Sequence, residues 1–160
     1  MTIKKEAAFH EAGHAVTAHL SKFHSILGEV RLESYGAGEV YISLSKSKLV
    51  ANGKSPDASS ARDKEVAKDL AVVLSAGLVA ECIAETKDLS LSANPRCAEP
   101  DHEYLKKNLE DAGLSKKFDR HEKVAKELLE KNWDLVQKLA DYLFEKKVVD
   151  AVDLELFFKS

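Results

Sequence analysis

The chain has 160 residues, enough for one domain with its own apolar core and too few for two of ordinary size. Apolar residues make up 44% and charged residues 32%, and the net charge of −3, with basic residues spread among acidic ones, gives no electrostatic footprint for a nucleic-acid partner. Only Cys82 and Cys97 are present, too few for a disulfide framework, while Met1 to Glu6 lack a signal peptide's apolar core and no stretch reaches the roughly 20 apolar residues that span a bilayer, so a cytoplasmic protein without membrane insertion is expected.

Thr2 is placed to cap a first helix running to about Ser21, with Phe9, Val16 and Leu20 among its apolar positions. Gly28 to Tyr35 alternates, Gly36-Ala37-Gly38 reads as a turn, and Val40 to Leu44 alternates again, which predicts two short strands in a hairpin. Ser45 to Ser60, rich in Ser, Lys, Asn, Gly and Pro, reads as a mobile surface connector. A helix from Ala61 becomes apolar on nearly every face between Leu70 and Ala80 and is expected to be the buried central helix. Thr86 to Pro100 reads as irregular, after which Pro100 opens a helix with Asp101 in its first turn, running to about Ala112. Lys116 to Lys147 reads as helical with a break near Asn132, placing Val124, Leu128, Leu135, Leu139 and Leu143 in one register. A short last helix follows Asp150. The expected fold is mainly α, a single domain over residues 1–160, with a small hairpin or sheet after the first helix and the C-terminal helices, Trp133 included, as a scaffold.

The first helix carries His10-Glu11-Ala12-Gly13-His14, an HExxH pattern. Residues four apart stack one turn above the other, so His10 and His14 can both reach one zinc ion, while Glu11 is rotated about 100° from His10 and can contact a water at that ion. A zinc-bound water has its pKa lowered to about 7, and Glu11 can take its proton as general base during attack on a carbonyl. The motif sits among Ala7, Ala8, Phe9, Ala15 and Val16, where buried imidazole and carboxylate need partners. Gly13, costly inside a helix, is expected to let another backbone approach near the metal.

Catalytic zinc takes three protein ligands and leaves a position for water, so a third residue must come from elsewhere. The extended HExxHxxGxxH form fails because the chain has Val16 and Leu20, and His19 and His24 fall on the wrong face or past the helix end. Asp101, Glu81 and Cys97 remain. Glu81 stands out as a carboxylate closing an apolar run.

The run Phe9-His10-Glu11-Ala12-Gly13-His14-Ala15 resembles the signature of the peptidase domain of FtsH-type ATP-dependent zinc metalloproteases. Val30 to Ile42 is similar to that family's strand pair, Ala76-Gly77-Leu78-Val79-Ala80-Glu81 to its Gly-Gly-Arg-Ala-Ala-Glu helix, and Cys97-Ala98-Glu99-Pro100-Asp101 to its Gly-Ala-x-Asn-Asp segment. The resemblance implies His10, His14 and Asp101 as ligands of one Zn2+ per chain, Glu11 as general base, and Glu81 as a carboxylate orienting a ligand imidazole. Leu78, Pro100 and Cys97 depart from the family pattern, and a Cys97 thiolate four residues from Asp101 is itself a possible ligand. No GxxxxGKS-like loop or membrane anchor lies within these residues. The resemblance therefore implies a stand-alone metalloendopeptidase acting on peptides or unfolded protein, with a separate unfoldase or a homo-oligomer as possible partners. The alternatives are a catalytically silent binding module on the same fold and a metal-dependent hydrolase of a non-peptide amide.

Overall fold

A computed structural model of the chain describes residues 4–32, 39–114 and 119–159. Helix α1 (Lys5–Leu20) leads into a small sheet formed by β1 (His24–Arg31) and β2 (Glu39–Leu44). Helices α2 (Lys46–Ala51) and α3 (Lys64–Lys87) follow, and a 3-10 turn at Pro95–Ala98 opens α4 (Glu99–Asp111). Helices α5 (Asp119–Lys131) and α6 (Trp133–Lys146), the short strand β3 (Val148–Val149) and α7 (Ala151–Lys159) complete the chain. The fold is mainly α with a three-stranded antiparallel sheet, in the order β2-β1-β3. No helix among the described residues is long and apolar enough to cross a membrane.

The core explains the arrangement. Helix α1 is buried from Ala7 through Ala18, because α3 covers one side and α6 another, with the sheet below. Most of its buried apolar residues are alanines, and that lets α3 come close: a Cβ on Gly13 would lie 2.6 Å from both the Ala76 carbonyl oxygen and Ala80 Cβ. Gly13 therefore admits a second backbone, as expected of it. Leu139, Ala140 and Leu143 of α6 pack onto the same core, and Trp133 stacks on Phe9, with ring centroids 5.6 Å apart and planes 2° from parallel.

Several boundaries differ from expectation, each for a local reason. Helix α1 begins at Lys5 after an uncapped Lys4, and Thr2 lies outside the described residues, as do residues 33–38 with the expected glycine turn. Strand β1 starts at His24 rather than Gly28. Gly28 instead occupies an irregularity between Ile26 and Val30 where the register with β2 shifts, and its φ of +80° suits glycine. The Ser45 to Ser60 segment is not all connector: Ser45 caps α2 by accepting from Lys48 N, and α2 buries Leu49. Lys48 then donates to the carbonyls of Ala18, His19 and His24, placing its ammonium against the negative end of α1. Helix α3 extends through Thr86 to Lys87, where Thr86 Oγ1 bonds the Ile83 carbonyl. Asn132 does separate α5 from α6, but the inward stripe of α5 is His121, Ala125 and Leu129, one residue on from the expected Val124 and Leu128, and Val124 is exposed. Strand β3 was not expected; two residues after a positive-φ Lys147 give too little pattern to read.

Candidate metal centre

The site is built where α1 crosses α3 and the start of α4 closes over them. His10 and His14 lie on the face of α1 turned to α3, with side chains only 8% and 6% exposed. Each imidazole is fixed by its Nδ1. That of His10 donates to Glu81 Oε2 at 2.7 Å, and that of His14 donates to the Val73 carbonyl at 2.8 Å. Since a carboxylate and a carbonyl only accept, both Nδ1 atoms carry the proton, and in the neutral rings both Nε2 atoms present lone pairs.

Those lone pairs meet. His10 Nε2 and His14 Nε2 are 3.2 Å apart, and Asp101 Oδ2 lies 3.2 Å from the first and 2.9 Å from the second. Among the described residues these three form a group able to hold a metal ion. Three acceptors so close repel one another unless a cation or protons lie between them. Zinc bonds of about 2.0–2.1 Å in tetrahedral geometry put ligand atoms about 3.3 Å apart, close to the spacing found here. Two imidazoles and one carboxylate are also the donor set of a catalytic zinc site that keeps a position for water. The residues fit a zinc ion.

When protons rather than an ion fill the space, burial disfavours the His10 cation, but hydrogen bonds to Asp101 and Glu81 outweigh it and hold its pKa at about 10. Burial likewise works against the charge on Asp101, and the bonds from His10 and His14 overcome it, keeping this carboxyl well below the usual range. Asp101 keeps 29% of its side chain exposed, so the site opens to solvent on the α4 side. Glu11 is also buried; burial raises its pKa, against the opposing pull of His14 and His10, while Asp101 and Glu81 raise it further. A buried carboxylate of raised basicity beside two imidazoles is suited to taking a proton from water.

No protein-family model matches this chain, and no curated protein matches it. His10, His14, Asp101 and Glu81 come together, with Glu81 on the far nitrogen of His10 and not on the converging side. Cys97 lies in the 3-10 turn before α4 and does not belong to the converging group. His19 is exposed on α1 and stacks on Phe158 at 3.9 Å, away from the site.

What sequence reasoning missed is how Asp101 is delivered. Three consecutive backbone N–H groups of the preceding segment donate to glutamates: Ser92 to Glu6 at 3.1 Å, Ala93 to Glu85 at 3.0 Å, and Asn94 to Glu81 Oε1 at 3.2 Å. Glu81 thus holds His10 with one oxygen and the segment leading to Asp101 with the other. Asn94 then caps the 3-10 turn by accepting from Arg96 N at 3.1 Å. Glu81 and Glu85, four apart on α3, were the available signal.

Proposed function

We propose that this chain is a zinc-dependent metalloendopeptidase, of the kind its resemblance to FtsH-type peptidase domains implies. The observation that carries the reading is the convergence of His10 Nε2, His14 Nε2 and Asp101 Oδ2 beside the buried carboxylate of Glu11. His10, His14 and Asp101 would hold the ion. Zinc supplies Lewis acidity: it acidifies water and polarises a carbonyl. Glu11 takes the proton from the attacking water and delivers it to the departing amine, a role that favours a carboxylate whose pKa is raised towards neutrality. Glu81 keeps the His10 ring in the tautomer that turns Nε2 to the metal. A site that only stabilised structure would have no use for Glu11, which favours turnover over a silent binding module.

Strand β2 is an edge of the sheet and follows the motif helix closely, so an extended substrate can add to it as a further strand. Peptides and unfolded segments present such a strand. Tyr41→Pro removes a backbone N–H donor from the middle of this edge strand. It is expected to raise KM several-fold with zinc retained; unchanged kinetics in the folded variant would rule out strand addition here. The reading as a whole is tested by loading the chain with zinc, measuring stoichiometry, and following cleavage of an unfolded protein before and after chelation. One zinc per chain, with activity lost on chelation and restored by zinc, is expected; turnover indifferent to the chelator would overturn it.

A further inference from the structure

Gly77 stands in α3 where it crosses α1, and a side chain there would touch the ligand nitrogens. An ideal Cβ on Gly77 would lie 2.5 Å from His10 Nε2, 2.7 Å from His10 Cε1, and closer still to His14 Nε2. The other glycine of the crossing has different neighbours: a Cβ on Gly13 would meet the Ala76 carbonyl oxygen and Ala80 Cβ. Gly13 sets how near the helices come. Both lie inside helices, where glycine is disfavoured relative to alanine, so each is explained by what a methyl group would displace.

We infer that Gly77 is a positioning residue for the metal centre: by lacking a side chain it keeps free, for a divalent cation, the space onto which His10 Nε2 and His14 Nε2 point. The inference rests on the reading of His10, His14 and Asp101 as metal ligands. A methyl carbon at position 77 would sit within 2.5 Å of both nitrogens, and a zinc–nitrogen bond is about 2.0–2.1 Å, so the carbon and a cation held by both rings compete for the same volume. The rings are not free to swing aside. His10 is held by Glu81 and His14 by the Val73 carbonyl, so a methyl group either breaks those bonds or excludes the cation.

The test uses the full chain as wild type, Gly77→Ala and Gly13→Ala, each stripped of metal. Melting is followed by circular dichroism and metal binding by titration with Co2+ alone, read by its visible absorption. Wild type is expected to take up one Co2+ per chain. Gly77→Ala is expected to stay helical, to melt below wild type because a ring must give up its hydrogen bond to make room, and to bind Co2+ at least about 100-fold more weakly, an effect as large as loss of a ligand's hydrogen-bonding partner. Gly13→Ala is expected to melt lower with or without metal. Equal Co2+ affinity in Gly77→Ala and wild type would overturn the inference and leave the metal centre standing, whereas no uptake by wild type would remove both. If Gly77→Ala does not fold, H10A/H14A/G77A is compared with H10A/H14A. Equal melting places the conflict at the imidazoles and supports the inference; much lower melting of the triple variant places it in the helix crossing and overturns it.

Discussion

Two histidines of this protein set a ring nitrogen against a carboxylate of α3, His10 on Glu81 at 2.7 Å and His24 on Asp69 at 2.6 Å, and both rings are buried. Up to that point they are alike. Asp69 spends its remaining capacity on the backbone, accepting from Lys22 N at 3.2 Å and Phe23 N at 3.1 Å, so this pair fastens the turn between α1 and β1. His24 belongs to no converging set of ligand atoms among the described residues. Glu81 also binds backbone, at Asn94, but the nitrogen of His10 that it leaves free converges on His14 and Asp101. A buried histidine–carboxylate pair is thus not a sign of function by itself; what the second ring nitrogen meets is the sign.

That comparison sharpens most at the ligands. His14→Ala removes one converging atom and is expected to abolish stoichiometric zinc uptake, a loss beyond the roughly 10–100-fold expected from an outer partner; metal analysis of the folded variant checks it, and one zinc per chain would contradict it. Glu81→Gln keeps the shape but weakens the hold on His10. Zinc affinity should fall roughly 10–100-fold in a competition assay with a chromophoric chelator, and an unchanged value would reduce Glu81 to a structural residue like Asp69.

Asp69→Ala should do the converse. Leaving the His24 ring and two backbone N–H groups without their acceptor should cost about 1–3 kcal/mol of stability, seen in urea unfolding, with zinc affinity unchanged. A change in zinc affinity without loss of stability would merge the two pairs into one system.

A further effect is in pH. His10 has a folded pKa of about 10 against an ordinary 6.5, so in zinc-free protein the stability it lends is whole below 6.5 and is lost as pH rises towards 10. Asp101, depressed below 3.8, lends stability above that value which is lost as pH falls. Melting of chelated protein should therefore decline between about pH 6.5 and pH 9, and the rise produced by zinc should grow over the same range, because zinc replaces the His10 proton. A flat profile for both would contradict the site's electrostatics.

The comparison also marks what a sequence can disclose. The placement of His10, Glu11 and His14 was legible because it follows from helical spacing alone, whereas Glu81 stood out as a carboxylate ending an apolar run without the sequence deciding between the surface and the site. Asp101 was legible only through the resemblance, since nothing local distinguishes it from any aspartate in a first helical turn. The mainly helical fold with a small sheet followed from periodicity. Asp69, Lys48 and β3 were not legible. Asp69 looks like an ordinary helix-surface residue until the α1–β1 turn folds onto it, Lys48 acquires its role only when α1 ends beneath it, and β3 is too short to carry a pattern. Gly77 belongs with them, since its meaning lies in what a methyl group would strike on another helix.

The most direct test of the account is cleavage of an unfolded protein by the zinc-loaded chain beside a folded, zinc-retaining Glu11→Gln variant. Wild type should cleave, and the variant, with its one zinc per chain intact, should lose about 10²–10⁴-fold in kcat. Equal cleavage by both would contradict the proposed role of Glu11, and no cleavage by zinc-loaded wild type would contradict the assignment of a peptidase.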